Sequence, residues 1–380
     1  MNCTETFIYL TYCGLTGQTA QLDSAPLDKL YTLAAAHSMT ALIAKALSPT
    51  KALADADKDM QKKWQGALDG AMKRTMLFAS EQKIITRFLE ENQIWYVLLK
   101  GAVISKLYPH FGTREFVDND ILYDSSRTEE VKRFMLGRGY TLQKDFFAAD
   151  EYTKPPLYNF EMHPKLFEDD TEDKSWFAFY EHMLARLRGE DGKFARCMTD
   201  DDFYIYFIIH AYKHYEGCGT GFRTVADEYI ILNSPQFHFD FANIDRELDA
   251  LNMRTFEQHL RGLSTKLFAS PDTQEALKTL DAGENGMLYF VLSCGTFGTK
   301  ENLFAKEFQA MSADRPPSKL RYYLRRIFPP VSRFRYSNPF VYKHKIVYPF
   351  FLLYRMIVKP IQHRKTLKQE LKTIKHINQS

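Results

Sequence analysis

Three acidic side chains lie between apolar neighbours, in segments that have the composition of strands. Asp118 and Asp120 occur in Val-Asp-Asn-Asp-Ile-Leu, and Glu161 occurs in Phe-Glu-Met. Residues two apart in a strand share a face, so we expect Asp118 and Asp120 to project together. Paired carboxylates are hard oxygen ligands that suit one or two Mg²⁺ ions. Glu161 on a neighbouring strand would complete a site for two ions or act as general base on an acceptor hydroxyl.

A glycine turn upstream of these acids offers a place for phosphate. Lys100, Gly101 and Ala102 open a predicted helix, where unpaired backbone N–H groups and the helix dipole attract anions. Gly101 has no side chain, so a phosphate can approach the backbone closely. The sequence therefore predicts a phosphate cradle next to a metal site.

The hydrophobic spacing indicates which elements position these residues. Apolar residues recur at helical spacing over 26–46 and 56–92, and a β-prone run over 94–99 precedes the glycine turn. A short strand over 116–123 and a helix over about 127–138 follow. The later predicted elements are strands over 140–147 and 157–162 and helices over 201–215, 222–233, 243–268 and 273–293.

These elements predict an α+β fold with four regions. Residues 93–190 form an α/β core with a mixed sheet, which is an ordinary size for a domain. An N-terminal helical region (1–92) precedes this core. A helical domain (191–314) and a basic, aromatic, proline-containing tail (315–380) follow it.

The formal net charge of +3 conceals a division of charge along the 380 residues. Residues 315–380 carry 16 basic, 11 aromatic and one acidic residue, whereas residues 1–314 carry 34 basic and 46 acidic residues. Such a tail can pack its aromatic side chains on the protein's own helical domain while its cations face the acidic body or solvent, which is the default. The alternatives are an anionic membrane or glycan-machinery surface, followed by single-stranded nucleic acid.

The cysteines and the hydropathy favour a cytoplasmic protein. The five cysteines are scattered and contain no CxxC pair, so they indicate a reducing compartment. The N-terminal segment lacks the basic and continuous apolar regions of a signal peptide. The longest apolar run, residues 346–358, is interrupted by Pro349 and Arg355 and is too short to span a membrane.

The order of the motifs is similar to that of the polymerase-β-like nucleotidyltransferase superfamily. The similarity rests on the segments 99–102, 118–122 and 160–163 together with Arg114, and it extends to the N-terminal helices and the tail. The sequence resembles most closely the bacterial family of uncharacterised nucleotidyltransferases. This resemblance implies a polymerase-β-like core that uses Mg²⁺ or Mn²⁺. It also implies that an acceptor oxygen attacks the α-phosphate of a nucleoside triphosphate (NTP) such as ATP, with release of pyrophosphate.

The resemblance also implies a role for each matching residue. The implied metal ligands are Asp118, Asp120 and Glu161, and the implied nucleotide contacts are Lys100, Gly101, Ala102 and Arg114. Ala102 stands where the superfamily prefers Ser or Gly, which removes a hydroxyl but leaves the backbone N–H. Asn119 replaces an apolar residue between the two aspartates, so we expect this strand to be less deeply buried.

A second group of polar residues lies on a predicted helix. His210 and His214 are four residues apart and share a face, so they can hold a metal together with Cys218. The glutamate of an HExxH motif is absent, and we favour a place for Lys213 and His214 beside the nucleotide. Arg223 and Asp227 have the spacing of an intrahelical ion pair, and a contact with the substrate is the alternative.

The leading hypothesis is an enzyme that moves a nucleoside monophosphate (NMP) from an NTP to an acceptor, with a small molecule or glycan precursor favoured. One alternative is a nucleotide-binding or regulatory partner in surface-polysaccharide assembly that does no catalysis. Another is a toxin-type enzyme that nucleotidylates tRNA or protein. The full set of three carboxylates favours the enzyme.

Overall fold

The computed structural model describes residues 1–115, 118–146, 149–167, 174–296, 298, 323–324, 326–329, 331 and 338–362. The chain divides into two compact units. The first comprises Met1–Tyr212 and Gly221–Thr296, and the second comprises Lys213–Thr220 and Phe297–Ser380. The three predicted carboxylates and the glycine turn belong to the first unit.

Helices make up the N-terminal quarter of the chain, as predicted. They are α1 (Cys3–Thr16), α2 (Leu27–Ala36), α3 (Thr40–Leu47), α4 (Lys51–Ala54) and α5 (Lys58–Glu91). The single helix predicted over 26–46 is two helices, because Ser38 adopts a φ of 51° between them. The residue that precedes the long helix α5, Asp57, caps its N-terminus. The carboxylate of Asp57 accepts hydrogen bonds from the backbone N–H groups of Asp59 and Met60.

A mixed sheet of seven strands follows, which confirms the predicted α+β class. Its strands are β1 (Tyr96–Leu98), β2 (Asn119–Tyr123), β3 (Thr141–Phe146), β4 (Ala149–Lys154), β5 (Tyr158–His163), β6 (Arg188–Gly189) and β7 (Ala195–Cys197). Their order across the sheet is β3-β4-β5-β2-β1-β7-β6. The central strand β2 runs parallel to β5 and antiparallel to β1. The first two residues of the predicted strand over 116–123 lie outside the described residues.

The two faces of the sheet have different chemistry. Ile121, Tyr123 and Phe160 are fully buried in a core that also contains side chains of α5 and of a helix over 128–137. Because successive residues of a strand point to opposite faces, Asp120 and Glu161 project from the other side. The acidic residues of the central strands therefore lie on the face away from this core.

The remaining helices of the first unit flank or follow the strands. They are α6 (Lys100–Ile104), α7 (Thr128–Gly137), α8 (Lys174–Ala185), α9 (Asp200–Glu216), α10 (Arg223–Leu232), α11 (Phe241–Ala250), α12 (Arg254–Leu267), α13 (Thr273–Lys278) and α14 (Ala282–Cys294). The last turn of α9 belongs to the second unit. The helices predicted over 243–268 and 273–293 are each two shorter helices. At the first break, Asn252 has a φ of 57°.

The second unit includes the predicted basic tail. Two helices are described there, α15 (Pro339–Lys343) and α16 (Tyr348–Gln362). Among the described residues, none of the helices has the length and apolar character that crossing a bilayer requires. Most residues of the predicted tail lie outside the described ranges, so its three possible partners stay predictions.

Candidate active site

The pairing of β2 with β5 brings two of the predicted carboxylates face to face. Asp120 lies directly opposite Glu161 in the parallel register, and His163 is two residues further along β5 on the same face. The Nε2 atom of His163 is 3.3 Å from Oδ1 of Asp120 and 3.6 Å from Oε2 of Glu161. One potential ligand atom from each of the three residues lies within 4.8 Å of the others.

Lys100 supplies a cation to this group. The backbone N–H of Leu99 donates a hydrogen bond of 3.0 Å to the carbonyl oxygen of Asp120, which fixes the end of β1 against β2. Lys100 follows as the first residue of α6, and its Nζ lies 3.4 Å from Oδ2 of Asp120. The strand–glycine–helix order predicted from the sequence thus brings Lys100 to the carboxylates.

The two opposed carboxylates have opposite pKa shifts. Burial alone would raise the pKa of Asp120, but the charge of Lys100 and the hydrogen bond to His163 outweigh it and hold this pKa well below its usual value. Burial raises the pKa of Glu161 to about 8, and the negative charges of Asp120 and Asp118 act in the same direction. One carboxylate is therefore ionised at neutral pH, while the other holds a proton.

Asp118 lies close to this group but outside its tightest part. It immediately precedes β2, and it is not one of the three residues whose ligand atoms lie within 4.8 Å of one another. Burial raises its pKa, followed by repulsion from Asp120, while Lys100 and Arg223 lower it. The close set is therefore Asp120, Glu161 and His163, with Asp118 as an acidic neighbour.

One face of α9 lies near the carboxylates. Tyr206 is almost fully buried, and Nζ of Lys100 is 5.8 Å from the centre of its ring. Burial raises the pKa of Tyr206 well above its usual value, and the charges of Asp120 and Glu161 add to the shift. His210, one helical turn later, contributes to the lowering of the Asp120 pKa. His210 therefore lies near the carboxylates.

Arg114 forms a buried ion pair that the sequence did not indicate. Its Nε and Nη2 atoms each donate a hydrogen bond of 2.8 Å to the carboxylate of Asp227, and the hydroxyl of Tyr108 donates to the same carboxylate. Arg223 instead donates to the backbone carbonyl oxygen of Glu115 at 2.6 Å. The intrahelical Arg223–Asp227 pair is thus replaced by a pair that joins α10 to the loop before β2.

The predicted nucleotide contacts have different locations. Gly101 lies beside Arg114, because a Cβ built on it would be 3.4 Å from Nη1 of that residue. Ala102 is buried, and its backbone N–H donates a hydrogen bond of 3.1 Å to the carbonyl oxygen of Leu99. Lys213 and His214 lie in the second unit, as does Cys218. The nucleotide contacts predicted for Lys213 and His214 stay predictions.

Two features of the site differ from what the sequence suggested. The sequence analysis assigns no role to His163 in the segment 160–163. Its spacing of two residues from Glu161 is the signal that indicates a shared strand face. Asn119 is 2% exposed and all of β2 is buried, which corrects the expectation of a shallower strand. On the face away from the core, helix α6 packs against β2.

Comparisons with known proteins identify the family to which this chain belongs. A family model described as "uncharacterised nucleotidyltransferase" matches residues 23–269, a range that contains all the site residues of the first unit described above. A solved structure of an antigenic nucleotidyltransferase-like protein from Paracoccidioides brasiliensis is 16% identical to this chain. That match covers 55% of this chain and 93% of the other, with a TM-score of 0.30. A search of curated protein sequences gives no match. Because the family model spans more than half of the sequence, the chain belongs to the uncharacterised nucleotidyltransferase family.

Proposed function

We propose that this protein transfers an NMP from an NTP to an acceptor hydroxyl, with release of pyrophosphate, and that Mg²⁺ or Mn²⁺ is required. The observation that supports this most strongly is the register of β2 and β5. It sets Asp120 opposite Glu161, with ligand atoms of both within 4.8 Å of His163. The proposed metal ligands are Asp118, Asp120 and Glu161.

The donor set fits a hard divalent cation. Carboxylate oxygens are the ligands that Mg²⁺ and Mn²⁺ prefer. A metal-bound histidine usually donates its second ring N–H to an acceptor, but Nδ1 of His163 is buried and has no hydrogen-bond partner among the described residues. We therefore assign His163 to donating a hydrogen bond from Nε2 to Asp120, which orients that carboxylate.

The chain's own residues supply the remaining chemistry. A bound divalent cation would stabilise the negative charge that develops on the transferring phosphate. The acceptor oxygen forms a bond to the α-phosphorus, the bond from that phosphorus to the bridging oxygen of the β-phosphate breaks, and pyrophosphate leaves. Glu161 in its ionised form accepts the proton of the acceptor hydroxyl. Lys100 partly neutralises the negative charge of the carboxylates, so that an anionic nucleotide can approach.

The nucleotide is proposed to lie along the turn between β1 and α6. A Cβ on Gly101 would be 3.4 Å from the Arg114 guanidinium and 4.0 Å from the carbonyl oxygen of Asp118. A Cβ here would make ordinary van der Waals contacts, so the missing side chain leaves this space free, which supports a close approach of phosphate to the backbone of Gly101. Lys100 and Arg114 contribute positive charge to this region.

The acceptor is proposed to enter an open cavity of about 330 Å³ in the first unit. Its lining residues are Ser38, Gly66, Ala67, Gly70, Ala71, Arg74, Thr75 and Glu115. Glu115 precedes Asp118 by three residues, so their Cα atoms are at most about 11 Å apart. The volume is within the usual range for a small-molecule pocket, and its hydroxyl and charged groups suit a polar acceptor.

Pyrophosphate release tests this function. The protein is incubated with each of the four NTPs, Mg²⁺ or Mn²⁺, and a small-molecule cell extract as the source of acceptor. We expect metal-dependent release that Asp120→Asn reduces about 1000-fold or more, since the loss of a metal ligand removes several kcal/mol of transition-state stabilisation. Circular dichroism checks that the variant is folded. Wild-type turnover by a folded Asp120→Asn variant would contradict the assignment.

A further inference from the structure

We infer that Arg223 is the residue that binds the triphosphate of the nucleotide, an assignment that rests on the proposed function. Among the described residues, Lys100, Arg114 and Arg223 are cations whose charges act on Asp118 or Asp120. They differ in the groups that already compensate their positive charge.

Lys100 and Arg114 are already paired with carboxylates. Lys100 lies 3.4 Å from Asp120. Arg114 makes two hydrogen bonds of 2.8 Å to Asp227, and side chains of both residues are 6% exposed. A buried bidentate pair of this kind is costly to separate, because each ion would be left uncompensated. The charges of these two cations are therefore already compensated within the protein, although Nη1 of Arg114 has no hydrogen-bond partner among the described residues.

Arg223 has no such partner. Its Nη1 donates a hydrogen bond to the backbone carbonyl oxygen of Glu115. Among the described residues, no ion pair within 4.0 Å joins its guanidinium to a carboxylate. Asp227, one helical turn away on α10, is occupied by Arg114 and by Tyr108. Arg223 thus carries a charge that the described part of the chain leaves without a direct counter-ion.

The surroundings of Arg223 make this charge expensive to keep. Burial lowers its pKa, and repulsion from Arg114 adds to that effect. Asp118 lies near enough to Arg223 for the two opposite charges to attract each other. A divalent cation held by Asp118 would weaken this attraction. An anionic ligand beside the metal would restore the balance, and a guanidinium suits phosphate because its N–H groups match the phosphate oxygens.

The test is direct binding of inorganic tripolyphosphate in the presence of Mg²⁺, measured by isothermal titration calorimetry. We expect Arg223→Gln to raise the Kd at least about 10-fold, the loss expected for one charge-assisted contact. Glutamine keeps a neutral donor for the carbonyl oxygen of Glu115, so the loop before β2 stays attached. Arg223→Lys keeps the charge and is expected to remain closer to the wild type than Arg223→Gln.

Arg254→Gln is the matched control, because Arg254 is an arginine already paired with Asp245 and Asp249 away from the site. It should leave the Kd unchanged, and thermal melts verify that all variants are folded. A wild-type protein that does not bind tripolyphosphate, or an Arg223→Gln variant with the wild-type Kd, would overturn the inference. Equal weakening in Arg223→Lys and Arg223→Gln would also overturn it, because the charge would then be irrelevant. Binding requires no turnover, so this result is independent of the pyrophosphate assay.

Discussion

Asp120 and Glu161 face each other across two strands, yet their proton affinities diverge because their neighbours differ. Lys100 and His163 both act on Asp120 and keep it ionised. Glu161 is opposed by the resulting negative charge, and its pKa rises to about 8. Pairs of acids separated in this way are typical of sites where one group holds charge and the other exchanges a proton. The proposed reaction uses the pair in these two roles.

The first prediction concerns Glu161. Glu161→Gln keeps the size of the side chain but removes both the proton acceptor and a metal ligand, so pyrophosphate release should fall at least about 100-fold. Glu151→Gln is the matched control, because Glu151 lies directly opposite Glu161 on β4 and outside the close set. It should change the rate by less than about threefold, which corresponds to roughly 0.6 kcal/mol. Equal effects of the two variants would refute a special role for Glu161.

The acidic residues of the site could be predicted from the sequence, but most of their partners could not. Acidic residues between apolar neighbours are visible as a pattern, since a strand alternates its faces. The Arg114–Asp227 pair joins residues that are 113 apart, and no local spacing carries that information. The spacing of Arg223 and Asp227 indicated a local pair, but a buried bidentate partner from the loop before β2 takes its place.

At the scale of elements, the differences between prediction and structure include breaks in predicted helices and elements that were not predicted, namely α8, β4, β6 and β7. Two predicted helices contain residues with positive φ, Ser38 and Asn252, and such residues carry no strong signal against a helix. Strand β4, with the sequence Ala-Asp-Glu-Tyr-Thr-Lys, was not predicted because it lacks apolar alternation. It is held by pairing on both sides, with β3 and β5. Tertiary pairing therefore overrides its local composition.

The second prediction concerns two glycines of the long helix α5 that line the cavity. Gly66 and Gly70 lie within α5, and a Cβ at either position would meet nothing within 4 Å. Packing therefore does not require glycine at these positions. Because the two glycines have no side chains, the cavity beside them stays open. Gly70→Leu fills this space while favouring the helix by up to about 1 kcal/mol. We expect turnover with the acceptor to fall at least about 10-fold, while the thermal shift produced by Mg²⁺ and NTP stays at its wild-type size.

Gly286→Leu provides the control for this substitution. Gly286 is a mid-helix glycine in α14 with open space around it, and it does not line the cavity. It should leave turnover at the wild-type value. Full turnover by Gly70→Leu would show that the acceptor binds elsewhere. Loss of the NTP thermal shift would show instead that the cavity receives the nucleotide.

At the scale of the whole molecule, a buried acidic cluster joins three helices of the first unit. The hydroxyl of Tyr204 in α9 is 2.6 Å from Oε1 of Glu228 in α10 and 2.8 Å from Oε1 of Glu257 in α12. One hydroxyl hydrogen can serve only one of these acceptors, so one carboxyl must carry a proton. Glu257 pairs with Arg261, which leaves Glu228 as the protonated partner. Burial raises the pKa of Glu228 to about 8, and the charge of Glu257 adds to this.

This cluster predicts how stability depends on pH. Glu228 stays protonated in the folded protein up to about pH 8, whereas it ionises near pH 4.5 in the unfolded chain. The folded state therefore binds the extra proton, and the free energy of unfolding decreases as the pH rises through this window. The slope is about 1.4 kcal/mol per pH unit for one group. Glu228→Gln should remove this contribution and be more stable than the wild type at pH 8.

Urea unfolding at pH 5 and pH 8 measures this effect as the difference between variant and wild type. Glu275→Gln is the control, because Glu275 is an exposed partner of Lys278 and should leave the pH dependence unchanged. An identical pH dependence in Glu228→Gln and the wild type would show that Glu228 is ionised in the folded protein.

The acidic residues 1–314 and the basic residues 315–380 differ in their proposed contribution to catalysis. All the residues proposed for catalysis lie in the acidic residues 1–314, whose carboxylates include the proposed metal ligands. The basic tail contributes none of them. The tail's composition is clear from the sequence, whereas its partner depends on surfaces that composition does not specify.

The most direct test of nucleotidyl transfer follows the phosphorus atoms of the NTP. The protein is incubated with Mg²⁺, a small-molecule extract and ATP labelled at either the α- or the γ-phosphorus, and the other NTPs are tested in the same way. For at least one NTP, we expect the α-label in the product and the γ-label in pyrophosphate, with both signals lost in Asp120→Asn. A γ-label in the product, or no transfer from any of the four NTPs, would contradict the proposed reaction.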